Sequence, residues 1–452
     1  MSDGWLGLYH RLPGPARSLA AGLRGLYLRS WRYGPETEKL VEEALERESW
    51  GRERWRAWQE EQLARVLERA ATRVPYYREW WRSRGGRAAW ERLENWPVLE
   101  KEAVRENAER FLADDCRTSR MFHEHTSGTT ATPLDLWWSR ETVRRWYALF
   151  EARWRRWYGV SRYDRWGNLG GQLITPAAQR RPPFWVWNPA LRQLYLSSYH
   201  LAPDLIPHYV EAIRRYRVRY LLGYTSSLYA LALEARDLDL EVVITNAEPV
   251  YDYQREAMET AFGCPVRETY GMAEIVAAAS ECREGRLHLW PEVGVVEALD
   301  GELVCTGLLN QDMPLVRYRL GDRGALAAEG ERCACGRGLP VLESVEGRAD
   351  DVLYTTDGRR VARLGRVFQD RRAIREAQII QESLDRVRVR YVPAPAFDGE
   401  AARSIEERLR SRLGPVEVTL EAVAEIPREK NGKFRAVVCR IANRHIDPVL
   451  SA

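Results

Sequence analysis

Apolar residues recur at helical spacing between residues 36 and 83, where Leu40, Leu45, Trp50, Trp55, Leu63 and Leu67 are separated by acidic and basic turns. The pattern predicts a helical amino-terminal region over about residues 1–110. A second stripe, Trp146, Leu149, Phe150, Trp154, Trp157 and Tyr158, repeats at helical spacing, with Arg144, Arg145, Arg153, Arg155 and Arg156 on the other faces. A stripe of this kind is read as facing a core. Further on, Val242-Val243-Ile244 is a β-branched run ending in the polar stretch Thr245-Asn246-Ala247-Glu248-Pro249. Open α/β folds bring ligand groups to strand ends of this kind. Residues 295–304 read as a β-hairpin turning at Asp300-Gly301. Beyond Asp351 strands alternate with a helix, including residues 387–392 and 405–413. The patterns predict an α/β chain whose domain break falls near Asp350, with a small carboxy-terminal domain of mixed α+β type.

The 452 residues are 45% hydrophobic and 30% charged, an ordinary composition for a soluble chain with a sizeable core. Lys plus Arg total 69 against 65 Asp plus Glu, so the net charge of +4 says little about partners. Arginine together with 18 Trp would suit single-stranded nucleic acid. The charges alternate with Glu and Asp, however, as on a solvated helix face, and no nucleic-acid partner is expected. No apolar run reaches the length of a bilayer span, roughly 18 to 20 residues. Residues 5–31 mix arginine with Trp, Leu and Tyr, and two readings stand: an amphipathic helix on a membrane surface, or a helix packed on the core. The segment lacks the apolar centre of a signal peptide, and seven cysteines, an odd number, fit a reducing compartment, so a cytoplasmic location is expected.

Lysine is scarce. Only Lys39, Lys101, Lys430 and Lys433 stand among the 69 cations, and two of them fall in Ile426-Pro427-Arg428-Glu429-Lys430-Asn431-Gly432-Lys433. An ammonium is a compact charge on a flexible stem that reaches phosphate or carboxylate oxygens, and Asn-Gly holds such a residue on a turn. Upstream, His125-Thr126-Ser127-Gly128-Thr129-Thr130-Ala131-Thr132-Pro133 gathers small hydroxyls around a glycine. That composition lets backbone N–H groups converge on an anion, although the Gly-Lys-Ser/Thr ending of a Walker A loop is absent. Cys282, His288, Cys333 and Cys335 are three thiols and an imidazole, the ligand set of a structural zinc. Cys116, Cys264, Cys305 and Cys439 show no such grouping.

The hydroxyl-rich loop is followed by Glu268-Thr269-Tyr270-Gly271-Met272-Ala273-Glu274, Tyr318-Arg319-Leu320-Gly321-Asp322, Gly347-Arg348-Ala349-Asp350-Asp351 and Pro427 to Lys433. This ordered set, over roughly residues 120 to 435, resembles the motifs of the adenylate-forming acyl ligases. Arg73-Val74-Pro75-Tyr76-Tyr77-Arg78 and Trp96-Pro97-Val98-Leu99-Glu100-Lys101 resemble landmarks of the phenylacetate–CoA ligase-like branch, which includes relatives from capsular-polysaccharide pathways.

The resemblance implies a large multi-sheet adenylation domain over 1–349 and a small mobile domain over 350–452, turning about Asp350. It implies ATP, Mg²⁺, a carboxylic acid and an acceptor, CoA first. Thr126, Ser127, Gly128, Thr129 and Thr130 would cradle the phosphates, and Glu274 would help hold Mg²⁺. Ala247, Glu248 and Pro249 would wall the adenine pocket, with Tyr270 of the segment Glu268, Thr269, Tyr270, Gly271, Met272 stacking on the base. Asp322 would accept from the ribose hydroxyls, Arg348 would contact ribose or phosphate, and Lys433 would bridge carboxylate and phosphate. The segments around Cys282, His288, Cys333 and Cys335 resemble zinc-carrying segments of that branch. Two departures stand out: Ala131 where the family has Gly, and Ala273 where Thr is commoner. The acid stays open, and so does the acceptor, which could be an amine, a sugar or a cofactor hydroxyl receiving AMP. A non-catalytic nucleotide-binding protein is the remaining reading.

Overall fold

The computed structural model describes residues 3–83, 89–126, 134–176, 179–236, 238–328, 330–348, 353–356, 360–361, 367–368, 374–428 and 434–441. The amino-terminal periodicity resolves into helices Thr37–Arg47, Arg52–Arg73 and Pro75–Arg82, after two earlier ones, Asp3–Arg11 and Gly14–Arg32. Pro75 opens its helix at the one place where a missing N–H costs nothing. Trp55 and Leu67 are buried as the spacing predicts, whereas Val41 and Ala44 lie deeper than Leu40 and Leu45.

The tryptophan stripe as far as Trp154 forms helix Arg140–Trp154, capped by Ser139, whose hydroxyl accepts the Thr142 N–H at 3.2 Å, whereas Trp157 and Tyr158 fall in a separate 3-10 turn, Arg156–Tyr158. Trp146, Leu149 and Trp154 join Trp31, Trp166 and Trp290 in one core. The arginines divide. Arg144, Arg145 and Arg156 stay at the surface side, while Arg153 and Arg155 are buried. Arg153 grips Glu292 with two bonds of 2.8 and 2.9 Å, and Arg155 pairs with Glu151 at 3.0 Å and donates to the Tyr220 hydroxyl at 2.7 Å. A buried guanidinium is tolerated because its charge is paired with a carboxylate and its other donors find acceptors.

A twelve-stranded sheet runs in the order Gly294–Leu299, Glu302–Gly307, Tyr318–Leu326, Val341–Arg348, Leu287–Leu289, Ala278–Glu281, Val266–Gly271, Val242–Asn246, Tyr220–Tyr224, Trp166–Leu169, Gln193–Leu196, Trp185–Asn188. Five adjacent strands, from Val266–Gly271 to Gln193–Leu196, are parallel, and the others pair antiparallel. The parallel block holds an apolar core under helices Ile206–Arg215, Thr225–Glu234 and Asp252–Phe262. The expected hairpin is present: Leu299 pairs with Glu302, and Asp300 and Gly301 adopt φ of 52° and 75°, as a two-residue primed turn requires.

The carboxy-terminal segment has a sheet and core of its own. Hairpin Ile374–Ser383/Arg386–Pro393 is flanked by parallel strands Val437–Cys439 and Glu417–Ala422, with helix Gly399–Leu413 packed through Ile405, Leu409 and Leu413. Residues 387–392 and 405–413 thus lie in a strand and a helix, as the pattern predicts. No helix among the described residues is long and apolar enough to cross a membrane.

Candidate active site and metal centre

Strand Val242–Asn246 delivers Ala247, Glu248 and Pro249 at its carboxyl end, beside the end of the neighbouring parallel strand Val266–Gly271. Ala247 sits at φ +62°, a left-handed conformation that a non-glycine residue holds only when its surroundings enforce it. Those surroundings are on both sides. Glu248 Oε2 accepts the Ser226 N–H at 2.7 Å and Oε1 accepts the Ser226 hydroxyl at 3.1 Å, while Thr225 Oγ1 donates to the Glu248 carbonyl at 3.0 Å. The carboxylate therefore caps the start of helix Thr225–Glu234. Burial raises the Glu248 pKa, and these donors oppose the shift.

Glu268 ties the same loop from below. Its carboxyl takes a backbone hydrogen bond from Val250, and its own N–H donates to Glu281 Oε2 at 2.7 Å. Burial, and then the neighbouring Glu281 carboxylate, push its pKa up to about 7, with Arg255 pulling the other way. Thr269 donates its hydroxyl to the Thr245 carbonyl at 2.7 Å and is committed to the strand pair. Tyr270 donates to Asp322 Oδ2 at 2.7 Å, which joins the residue expected at adenine to the one expected at ribose. Gly271 is exposed and Met272 packs against the core beside Ala273.

Glu274 is buried, and Ile275 after it holds φ +51°, a strained value for a β-branched residue. Lys101 Nζ donates to Glu274 Oε1 at 2.8 Å, and the Tyr318 hydroxyl donates to the same oxygen at 3.0 Å. Burial and this carboxylate hold the Tyr318 phenol protonated by raising its pKa. Both bonds fall on the same oxygen, Oε1. Lys101 was not assigned a role from the sequence; its signals there were the rarity of lysine and its place at the end of the segment Trp96 to Lys101.

The carboxy-terminal segment meets this region. The Phe434 N–H donates to Glu248 Oε1 at 2.8 Å, and Arg375 pairs with Glu234 at 3.2 Å. Arg428 pairs with Glu376 and lies 4.6 Å from the centre of the Phe434 ring. Of the other expected site residues, Thr126 closes the neck of its loop: its N–H donates to the Leu134 carbonyl at 3.0 Å, and its hydroxyl accepts the Leu134 N–H at 2.9 Å. Ser127, Gly128, Thr129, Thr130, Ala131, Asp350, Lys430 and Lys433 lie outside the described residues, as does the Arg348 side chain. The Arg348 backbone pairs with Asp322 across neighbouring strands. Trp138 is buried, Trp137 stacks on His123, and Trp185 and Trp187 pack on the parallel-sheet core.

Cys282, His288, Cys333 and Cys335 converge, with their ligand atoms within 4.8 Å of one another. The Cys282 and Cys333 sulfurs are 3.6 Å apart and Cys335 Sγ lies 3.3 Å from His288 Nε2. Tetrahedral zinc with Zn–S bonds near 2.3 Å separates its sulfurs by roughly 3.8 Å, so this set fits the ion, whereas a disulfide does not form. His288 Nδ1 meets the Leu339 carbonyl at 3.1 Å, a bond that needs the proton on Nδ1 and turns the Nε2 lone pair toward the thiols. The same loop is anchored to the amino-terminal helices through Arg337, which pairs with Glu48 at 3.0 Å and covers the Trp157 ring at 4.0 Å. A Cβ at Gly338 would lie 1.9 Å from the Trp50 carbonyl oxygen, so only glycine passes there.

Residues 353–440 match the family model of the CapK C-terminal domain. The chain is 26% identical over 369 residues to protein CapK of Staphylococcus aureus, covering 76% of this chain and 80% of that one. It is 27% identical over 358 residues to the phenylacetate–coenzyme A ligase of Thermus thermophilus, covering 71% and 74%. Among solved structures, 2-hydroxyisobutyryl-CoA ligase in its postadenylation state aligns with a TM-score of 0.67 at 20% identity, over 90% of this chain and 94% of that one. Its thioesterification state aligns with a TM-score of 0.53 over the same shares. Over most of its length the chain is thus similar in sequence to CapK and to a phenylacetate–CoA ligase, and its fold is that of 2-hydroxyisobutyryl-CoA ligase.

Proposed function

We propose that the protein activates a carboxylic acid with ATP and transfers the acyl group to a thiol, that of CoA. A carboxylate oxygen attacks the α-phosphorus, the bond to pyrophosphate breaks, and acyl-AMP forms. The thiol sulfur then attacks the acyl carbon, AMP departs, and the thiol proton is lost to solvent. The first step brings anions together, so cations and donors must converge where charge gathers.

In this reading Tyr270, Ala247, Glu248 and Pro249 form the base pocket and Asp322 receives the ribose, its bond from Tyr270 exchanged for the sugar hydroxyls. Thr126 to Thr130 hold the β- and γ-phosphates, and Arg348 reaches ribose or phosphate. Glu274 Oε2 is the oxygen offered to Mg²⁺, which would neutralise phosphate charge when bound, and Lys101 supplies a resident cation beside it. Lys433 bridges the attacking carboxylate and the phosphate, and a turn about Asp350 then withdraws it to admit the acceptor.

The observation that carries the reading is the 2.8 Å bond from the Phe434 N–H to Glu248. Phe434 directly follows Lys433 in sequence, and its contact with Glu248 supports a role for Lys433 at the strand ends where the nucleotide would lie. An amine or sugar acceptor is the second reading, raised by the resemblance of the sequence motifs to relatives from capsular-polysaccharide pathways. A pyrophosphate-release screen over aryl, fatty and hydroxy acids, with and without CoA, tests both. Acid-dependent pyrophosphate release with an acyl-CoA product supports the proposal. Acyl-AMP that persists with CoA but is consumed by amines favours the second reading, and AMP found on the acceptor, or ATP bound without pyrophosphate release, overturns acyl transfer.

A further inference from the structure

Helix Gly14–Arg32 buries one face and leaves the other bare. Inward, Gly22 and Gly25 let it lie close against Asn188 and Pro189, where a Cβ on Gly25 would meet the Asn188 side chain at 2.1 Å, and Leu28 and Trp31 are buried. Outward stand Leu19, Leu23, Leu26 and Tyr27, exposed by 68%, 62%, 56% and 44%. At 3.6 residues per turn these four share an arc of about 100°. With Leu8 on the preceding helix they are five of the seven large exposed apolar side chains among the described residues. Single exposed leucines are commonplace, but such concentration on one face marks a contact surface.

The border of that face is cationic. Arg24 and Arg29 are exposed and fall on opposite sides of the stripe, about 60° beyond its edges. Between Asp3 and Glu36 the chain carries five arginines and no Asp or Glu. A second copy seated on this face would set arginines against arginines with no carboxylate from the helix to offset them. An anionic lipid surface meets both needs, since acyl chains take the leucines and headgroup phosphates take the guanidinium groups.

We propose that helix Gly14–Arg32 docks the protein, lying in the plane of an anionic membrane surface with Leu19, Leu23 and Leu26 in the acyl boundary and Arg24 and Arg29 at phosphate level. Such a helix rests on the bilayer and does not span it. The test is flotation of the full chain with phosphatidylcholine vesicles, with and without about one-third phosphatidylglycerol. Wild type should float with the anionic vesicles, at least roughly tenfold more tightly than with neutral ones, and less as salt rises. Leu19→Ser/Leu23→Ser/Leu26→Ser should lose about a hundredfold, and Arg24→Ala/Arg29→Ala roughly thirtyfold, both with unchanged circular dichroism because every altered side chain is exposed. Wild type that stays unbound from anionic vesicles, or a triple-serine variant that floats equally well, would overturn the proposal. So would a wild-type dimer that the serines dissolve, which would assign the face to a second copy.

Discussion

Replacing Lys101 with methionine keeps the stem of the side chain and deletes the charge that faces Glu274. The pair is 2.8 Å apart, with side-chain exposures of 25% and 5%, and at an effective dielectric near 20 its Coulomb energy is about 6 kcal/mol. Desolvation of both groups offsets much of that, and breaking a buried pair ordinarily costs about 3–5 kcal/mol. Because a quarter of the lysine is exposed, the expected loss is about 2–3 kcal/mol. Glu274→Gln alone should cost about 2 kcal/mol by stranding the ammonium, although the amide oxygen can still accept from Tyr318. The double variant leaves no unpaired charge and should cost about the same as either single change, a coupling of about 2 kcal/mol. Urea unfolding followed by tryptophan emission reads this as shifts of the large-domain transition at constant slope. Additive losses, within about 0.5 kcal/mol, would refute the argument that the lysine exists to neutralise this carboxylate.

Glu268→Gln tests the buried acid. A folded pKa of about 7 lies above the ordinary 4.5, so the native state holds the proton more tightly, and stability from this group is complete below about pH 4.5 and lost as pH rises through 7. The loss is at most about 3 kcal/mol, and the variant should flatten the stability profile between those values; an unchanged slope there contradicts the assignment. The metal centre predicts one zinc per chain by elemental analysis, with Cys335→Ser lowering occupancy and chelation lowering the Tm by roughly 5 °C or more. Metal-free protein from a chelator-free preparation would rule it out. Glu248→Ala should slow acyl-adenylate formation roughly tenfold by removing the acceptor for Phe434, and Glu248→Gln should recover most of it; equal rates in the two variants would discount that contact.

The strand ends were legible because chemistry and pattern coincide there: a β-branched run stops at Ala247-Glu248-Pro249, and the polar loop is where an open sheet exposes its groups. The cysteine–histidine set was legible from residue type, since four such ligands have few other reasons to meet. Arg153 was not. Helical periodicity places an arginine on a face but cannot name a partner, and Glu292 is 139 positions away. Lys101 was conspicuous by rarity, yet its carboxylate partner is 173 positions distant, beyond any local signal. For helix Gly14–Arg32 the sequence left two readings open because the middle of its inward face is Gly22 and Gly25, which carry no hydrophobic signal, with Leu28 and Trp31 buried only toward its end. Close approach to Asn188 and Pro189, rather than hydropathy, decides that the leucines face out.

Pyrophosphate release by Lys433→Ala, set beside Lys430→Ala and wild type with the best acid from the screen, tests the central claim most directly. If Lys433 stabilises the transition state of adenylation, its loss should lower the rate by about 10² to 10³ while ATP binding falls only slightly, and Lys430→Ala should stay near wild type. Adenylation at the wild-type rate in Lys433→Ala would contradict the account.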